Sequence, residues 1–475
     1  MTIELSPLHN EIVQVLNGPY TYNRRRWEAY IHLMDANMTL LPVRVLSVNT
    51  NRDYTNNYTD EINLEVAIPI GTYADIFYPN KLNLEVTLNS IPLNMIKGGP
   101  PKSFRYKAVV VDAGQPRVSS PDMNGTGTAT LDLTEVVTIN LQLIPMSIYT
   151  LRTASAGVIF RQEKPEDCLK TLLSSEIAKI KSDESQRILG VDMAKADNQE
   201  ILEQMVVPHG TMLYDIPDTF QKLICGIYNN GLSQYIQDNH WFIYPTFDID
   251  RMSQSDRVIT LISIPEKKYP GIEKTYRQTG KNQYTILATA KGNYANPVKE
   301  KTMNEGTGLR FMNAETVMSW EETKPQQNKV KYQKDKIMNE ITQITPTDGV
   351  TFSPMSDNRI TANNFAERSK IAGRTGAYLS WLWENSYPDA ILPGMFIRVL
   401  YLTVDNQVNE MRGIVLKVEH YEQLRYQSMV EDNYLTTTAI FGYFENDLLN
   451  GTQKGPLYTS KLMGQGIELP FSRKS

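Results

Sequence analysis

Cysteine is almost missing from this chain: Cys168 and Cys225 are the only two in 475 residues. Two thiols cannot build a disulfide framework or a four-thiolate zinc site, so covalent and zinc staples are excluded as the source of the fold. Long apolar runs are missing too. No stretch of about 18 apolar residues occurs, and the opening "MTIELSPLHNEIVQVL" has neither the basic start nor the continuous apolar core of a secretory signal. The expectation is a soluble protein made in a cytoplasm, with no stable membrane insertion. A basic surplus is also lacking, since 48 Lys and Arg against 53 Asp and Glu leave a net charge of −5. Stable nucleic-acid binding, which normally draws on a basic surface, is disfavoured.

Signatures of catalysis are equally sparse. The five histidines, His9, His32, His209, His240 and His420, do not share a helical turn or a hairpin, and no HExxH occurs. The usual local pairings of a zinc enzyme are therefore absent. "GTG" at Gly125 and again at Gly306 lacks the third glycine and the strand-to-helix setting of a phosphate loop. Cys168 sits at a predicted helix start, where the helix dipole favours a thiolate, but Glu166 and Asp167 beside it oppose that ionisation. Cys225, between Ile224 and Ile227, reads as core. The aromatic run "HWFIYPTFDID", His240 to Asp250, alternates across a strand with His240 at a turn, so it reads as architecture. No catalytic, cofactor-binding or metal-ligating residue is singled out.

What the chain does have is period-two alternation. Trp27, Ala29, Ile31 and Leu33 share one side of a strand, and Asp35-Ala36-Asn37 turns into the next. "EINLEVAIPI" places Ile62, Leu64, Val66 and Ile68 on one face and Glu61, Asn63 and Glu65 on the other. "KLNLEVTL", "SFRYKAVVV" and "EVVTINLQLI" continue the pattern, which predicts an antiparallel sheet or barrel of at least six strands up to Tyr149. The polar stretch from Asn49 to Glu61 is expected to be an exposed loop that orders against a neighbour. "NRRRW", Asn23 to Trp27, reads as a solvated edge or an interface anchor.

Near Lys164 the period changes. "PEDCLKTLLSSEIAKI" opens with Pro165 and two acids and spaces Leu169, Leu172, Leu173, Ile177 and Ile180 along one helix face. A second helix is expected through "DTFQKLICGIYNN", stopped at Asn230-Gly231, followed by a hairpin from "LSQYI" through "QDN" to "WFIYPTFDI". Short strands "RVITLISI" and "QYTILATA" follow, then a polar connection from Asn296 to Ser369. "ILPGMFIRVLYL", "RGIVLKVEHY" and "YLTTTAIFGYF" supply three more strands before a polar tail.

At about 150 residues per domain the length suggests roughly three units. The fold class is α+β and β-dominated, and the boundaries fall at 1–155 for a first barrel domain, 156–250 for a helix-hairpin domain and 251–369 for a β-rich domain with a long connection. A second barrel domain comes next at 370–446, then an extension at 447–475.

The order of "DEINLEVAIPIGTYADIFYPNKLNLEVTL", "IYNNGLSQYIQDNHWFIYPTFD" and "LPGMFIRVLY" resembles the central baseplate hub proteins of contractile-tailed bacteriophages. The resemblance implies two tail-tube-like β-barrel domains with mixed α/β outer domains. It further implies a homotrimer whose pseudo-hexameric ring joins the tail tube protein to the central spike protein, among other baseplate proteins, and lets DNA pass. Such a protein belongs to the virion, is assembled in the host bacterial cytoplasm, and is not an enzyme. Glu61, Asn63 and Glu65 are then candidates for a lumen or inter-subunit face. A tail-borne cell-wall hydrolase, or a receptor- or carbohydrate-binding β-module, is the alternative reading.

Overall fold

The computed structural model describes residues 7–17, 25–55, 57–93, 100–112, 136–180, 187–228, 231–246, 248–266, 274–293, 328–330, 344–346, 376–402, 408–424 and 434–445. Most of the connection expected from 296 to 369, and the extension at 447–475, lie outside those residues. A short pair, β16 (Asn328–Val330) and β17 (Ile344–Pro346), is described within the connection.

A helix, α1 (Pro7–Asn17), comes first, and seven strands follow: β1 (Arg25–Leu33), β2 (Met38–Leu40), β3 (Arg44–Asp53), β4 (Glu61–Pro69), β5 (Leu84–Pro92), β6 (Lys102–Asp112) and β7 (Val136–Pro145). They pair antiparallel in the order β3-β4-β7-β6-β5-β1-β2. The alternating residues do what their period requires: Ala29, Ile31, Leu33, Ile62, Leu64, Val66, Leu84, Val86, Ile139 and Leu141 are buried together in one core. The expected turn is present, with Asn37 in the left-handed region at φ 51°.

A middle unit comes next. The helix α2 (Pro165–Lys179) buries Leu169, Leu172, Leu173 and Ile177 of the face that the sequence spacing marks, with Cys168 beside them, and ends before Ile180. It packs with a two-stranded ribbon, β8 (Ser155–Glu163) against β10 (Leu202–Met212), and a small sheet of β9 (Gly190–Met193), β11 (Leu232–Gln237) and β12 (His240–Pro245). The β11–β12 hairpin turns on Asp238 and Asn239, both at positive φ (50° and 60°), the backbone that matches strand twist in a two-residue loop. The expected second helix is shorter than read: helical turns cover Leu213–Ile224 and stop at Gly226, φ 69°, rather than at Asn230-Gly231. A glycine in the left-handed region five residues earlier ends the helix first.

The remaining strands are β13 (Arg257–Ile264), β14 (Tyr276–Gly280), β15 (Asn282–Asn293), β18 (Gly376–Glu384), β19 (Phe396–Leu402), β20 (Val408–Leu424) and β21 (Tyr434–Glu445). Six of them close on themselves in the order β19-β13-β15-β18-β21-β20, with β20 pairing back to β19, and β14 is added outside on β15. Here the sequence division needs correction. It separates 251–369 from a barrel at 370–446, yet β13 and β15 sit in the same ring as β18 to β21. The four later strands cannot close alone, because β19 reaches β18 only through β13 and β15. Trp381 and Trp383 fill the ring interior, and each indole N–H has a partner, donating to Ser263 Oγ at 3.3 Å and to Thr275 Oγ1 at 2.8 Å.

The first sheet and the ring are one sheet, because β3 pairs antiparallel with β20 from Ser47↔Gln423 to Asp53↔Lys417. This corrects the first part of the loop expected from Asn49 to Glu61: Asn49 to Asp53 are strand, and the described residues from Tyr54 to Asp60 make the turn into β4. Strand β3 runs through Asp53, Arg52 is buried, and Tyr54 is buried edge-on against Tyr235 with ring centres 4.8 Å apart. A polar segment can be a strand when hydrogen-bonded neighbours flank it on both sides, here β4 and β20.

Gly394, at φ 72°, lets the entry to β19 lie against the Tyr244 ring, which an added Cβ would approach to 2.7 Å. We expect Gly394→Ala to destabilise the protein by about 2 kcal/mol through overpacking and strain together. A urea midpoint unchanged from wild type would contradict this contact.

Candidate functional face and the charge junction beneath it

Strand β4 turns Glu61, Asn63 and Glu65 outward while Ile62, Leu64 and Val66 enter the core. The pairing extends that outward row across the sheet. Asn63 stands beside Gln142 and Glu65 beside Asn140 on β7. On the other side Glu61, Asn63 and Glu65 meet Asn51, Asn49 and Ser47 of β3, which in turn meet Glu419, Tyr421 and Gln423 of β20. The three predicted residues thus lie on one polar face that crosses from the first sheet into the ring.

Acids and amides dominate its centre. Among the described outward residues of Glu61–Glu65, Ser47–Asp53 and Lys417–Gln423, the acids Glu61, Glu65, Asp53 and Glu419 stand with one lysine, Lys417. Hydrogen bonds hold several of them. Across strands, Asn51 Nδ2 donates to Glu61 at 2.8 Å and Ser47 Oγ to Glu65 at 3.0 Å; along β20, Tyr421 OH donates to Glu419 at 3.0 Å. Lys417 Nζ lies 2.7 Å from Glu419. The acids therefore have fixed positions, and the face as a whole keeps a negative excess.

The inner side of the same strands faces a cavity of about 90 Å³ where the first sheet, the middle unit and the ring meet. Glu422, only 1% exposed, receives Arg25 Nε at 3.1 Å on both oxygens, a further contact from the Arg25 guanidinium, and the Trp27 indole N–H at 2.5 Å. His420 Nε2 lies 2.9 Å from Glu422, and the Thr438 hydroxyl lies between His420 Nδ1 (2.7 Å) and the Ser386 hydroxyl (2.6 Å). Two more ion pairs share the cavity: Arg52 with Asp60 at 3.1 Å, where Tyr235 OH also donates to Asp60 at 2.8 Å, and Lys102 with Asp389 at 3.1 Å.

Burial opposes charge on Glu422, but Arg25 and the His420 hydrogen bond outweigh it and hold the carboxyl far below the usual range. Burial likewise lowers His420, against the pull of Glu422, and so disfavours the imidazolium. Burial also opposes charge on Asp389, and the cations Arg25 and Lys102 overcome it and lower that carboxyl. These groups satisfy one another, as structural joints do. Sequence reading missed the junction, although Val418, His420 and Glu422 share the inward side of one strand and an inward charged pair signals a buried partner elsewhere. "NRRRW" supplies that partner: Arg25 and Trp27 anchor β1 to β20 inside the molecule.

Other candidates dissolve into architecture. Burial pushes the Cys168 thiol up to about 11, with Glu163 and Asp167 adding to it, and pushes Cys225 up to about 12. Both are packed in the middle core. His240 is exposed at the hairpin turn while Trp241, Phe242, Ile243 and Tyr244 are buried, and Asp248 accepts from Arg251 Nε at 2.7 Å. Among the described residues no group of three or more His, Cys, Asp or Glu could hold a metal ion, and no helix is long and apolar enough to cross a membrane.

No family model and no curated protein matches the chain. Among solved structures it is similar to the 43 kDa tail protein of prophage MuSo2 from Shewanella oneidensis, at 11% identity and TM-score 0.41, covering 88% of this chain and 96% of that one. A tail protein from Neisseria meningitidis MC58 gives 10% identity and TM-score 0.38 over 93% and 100% of the two chains. An E. coli component of the type VI secretion system, described as structurally similar to bacteriophage T4 tail proteins, gives 9% and 0.37 over 85% and 73%. Overlays at these scores carry no functional weight.

Glu422→Gln should leave Arg25 without its counter-charge and cost about 3 kcal/mol in chemical unfolding. Because the Glu422 carboxyl is depressed in the folded state, its contribution is present above the usual carboxylate range and is lost as pH falls below about 4.5. The variant should accordingly show a shallower fall of stability with acid than wild type. Parallel curves would show that Glu422 is not the linked group.

Proposed function

We propose that this chain is a structural subunit of a phage-type tail baseplate, a hub of which three copies form a ring between the tail tube and the central spike. One observation carries the reading: a single sheet passes from the open seven-strand array into the closed six-strand ring through β3 and β20, and its outer face at that seam is acidic and amide-rich. Three copies of a subunit with two strand-built units side by side supply the six units that a pseudo-six-fold ring needs. The face with Glu61, Asn63 and Glu65 then lines the lumen, where a negative wall lets DNA pass without binding it. In this reading strands β1 to β7 form one tube-like unit, β13 to β15 with β18 to β21 form the other, and the middle unit lies outside. The resemblance of the sequence to baseplate hubs supports the same assignment and names the partners: tube protein, spike and neighbouring baseplate proteins.

The hydrolase alternative loses its nucleophile, since Cys168 is buried and held as a thiol.

Light scattering of the purified chain, alone and with candidate tube and spike proteins, should give a species of about three times the chain mass of 54.1 kDa. A strict monomer under every condition would end the hub reading. Changing Glu61, Asn63 and Glu65 together to Lys should leave that mass intact and create salt-sensitive retention of DNA that wild type lacks. DNA retention unchanged by the triple substitution would remove these residues from the lumen.

A further inference from the structure

The outer wall of the closed ring carries an apolar row where alternation would place polar residues. Ile262 of β13 is in register with Leu287 of β15 on one side and with Leu400 of β19 on the other, so the three form a line across neighbouring strands. All three point away from the ring interior, whose filling comes from Ile259, Leu261, Ile286, Ile397 and Val399. A helix covers the row: α1 (Pro7–Asn17) seats Leu8, Ile12, Val15 and Leu16 on it, the i, i+4, i+7, i+8 spacing of one helix face. Polar contacts with β14 and the residues before it fix the helix position, Arg277 donating to Gln14 Oε1 at 2.7 Å and Lys274 Nζ to the Leu16 carbonyl at 3.5 Å.

Three features make α1 a ligand rather than a part of the ring. Its 11 residues are too few for a stable helix in isolation, so its helicity comes from the surface it lies on. Its cluster is separate from the ring interior. Its chain continues into β1, which belongs to the first sheet and not to the ring it covers. A segment tied to one unit and seated on another has two equivalent seats once copies stand side by side: the ring of its own chain and the ring of the next.

We propose that the Ile262–Leu287–Leu400 row is a helix-docking site and that α1 is exchanged between copies in the assembled oligomer, each copy seating its helix on its neighbour. The inference rests on the hub reading for the presence of an oligomer and adds how the copies are tied. Exchange replaces an intramolecular contact with an identical intermolecular one, so the contacts are kept and association gains a strap at each interface.

The test uses two full-length variants with different tags, Gln14→Cys in one and Arg277→Cys in the other, mixed during assembly and treated with a thiol-to-thiol cross-linker. The native Cys168 and Cys225 are buried. Exchange predicts a cross-linked pair carrying both tags within the oligomer peak. An oligomer that forms but yields links only in a chain carrying both substitutions overturns the exchange and leaves the hub reading standing. Failure of any oligomer to form overturns both. As a second measure, Leu8→Asp with Val15→Asp should raise the dissociation constant of the oligomer tenfold or more while the circular dichroism of the sheet is kept. An unchanged dissociation constant contradicts the strap.

Discussion

The ladder between β3 and β20 is the constraint on which the rest of the molecule depends. It merges two strand systems into one sheet, and its two faces serve different ends. Outward, it lays Asn49, Asn51, Glu419 and Tyr421 side by side in a polar surface. Inward, it presents Arg52, His420 and Glu422 to the junction where Arg25, Asp60, Lys102 and Asp389 complete the charge balance. Buried charges are costly unless paired, so the junction is stable only in the arrangement that pairs them all. A small rotation of one unit against the other would strand a guanidinium or a carboxylate, which gives the seam an orientation that apolar packing alone would not specify.

Much of the local structure is legible in the sequence because it depends on near neighbours. The alternation in "EINLEVAIPI" places Glu61, Asn63 and Glu65 outward, and the apolar spacing after Pro165 marks the buried face of α2. The turn at Asp238-Asn239 and the aromatic strand after it also come from a few adjacent residues. What escapes is whatever is decided by a partner far along the chain. Strand β3 is polar, and only its pairing with a strand more than 350 residues away makes Arg52 and Tyr54 interior residues. The ring likewise takes β13 and β15 from a region that reads as a separate domain, because parallel pairing of β13 with β15 and β19 leaves no hairpin signal.

The same distinction governs the candidate site. Outward acids on an amphipathic strand are visible from period alone. The inward pair His420 and Glu422 interrupts the apolar side of β20, and the missing information is the identity of the cation opposite, which the fold supplies as Arg25. The histidine reads as part of a joint once its neighbours are known: it is enclosed and bonded at both ring nitrogens.

The wide separation of β3 and β20 has a consequence for biosynthesis. The strands of the first sheet emerge from the ribosome together and can pair as they appear. One edge of β3, however, has to wait for β20, and at about 5–20 residues per second that interval is on the order of tens of seconds. During it the nascent sheet offers an unpaired border to every other chain on the same message. The asparagines and the arginine along that border, poor material for sticky strands, then act as gatekeepers for a half-made subunit as well as furnishing the finished one.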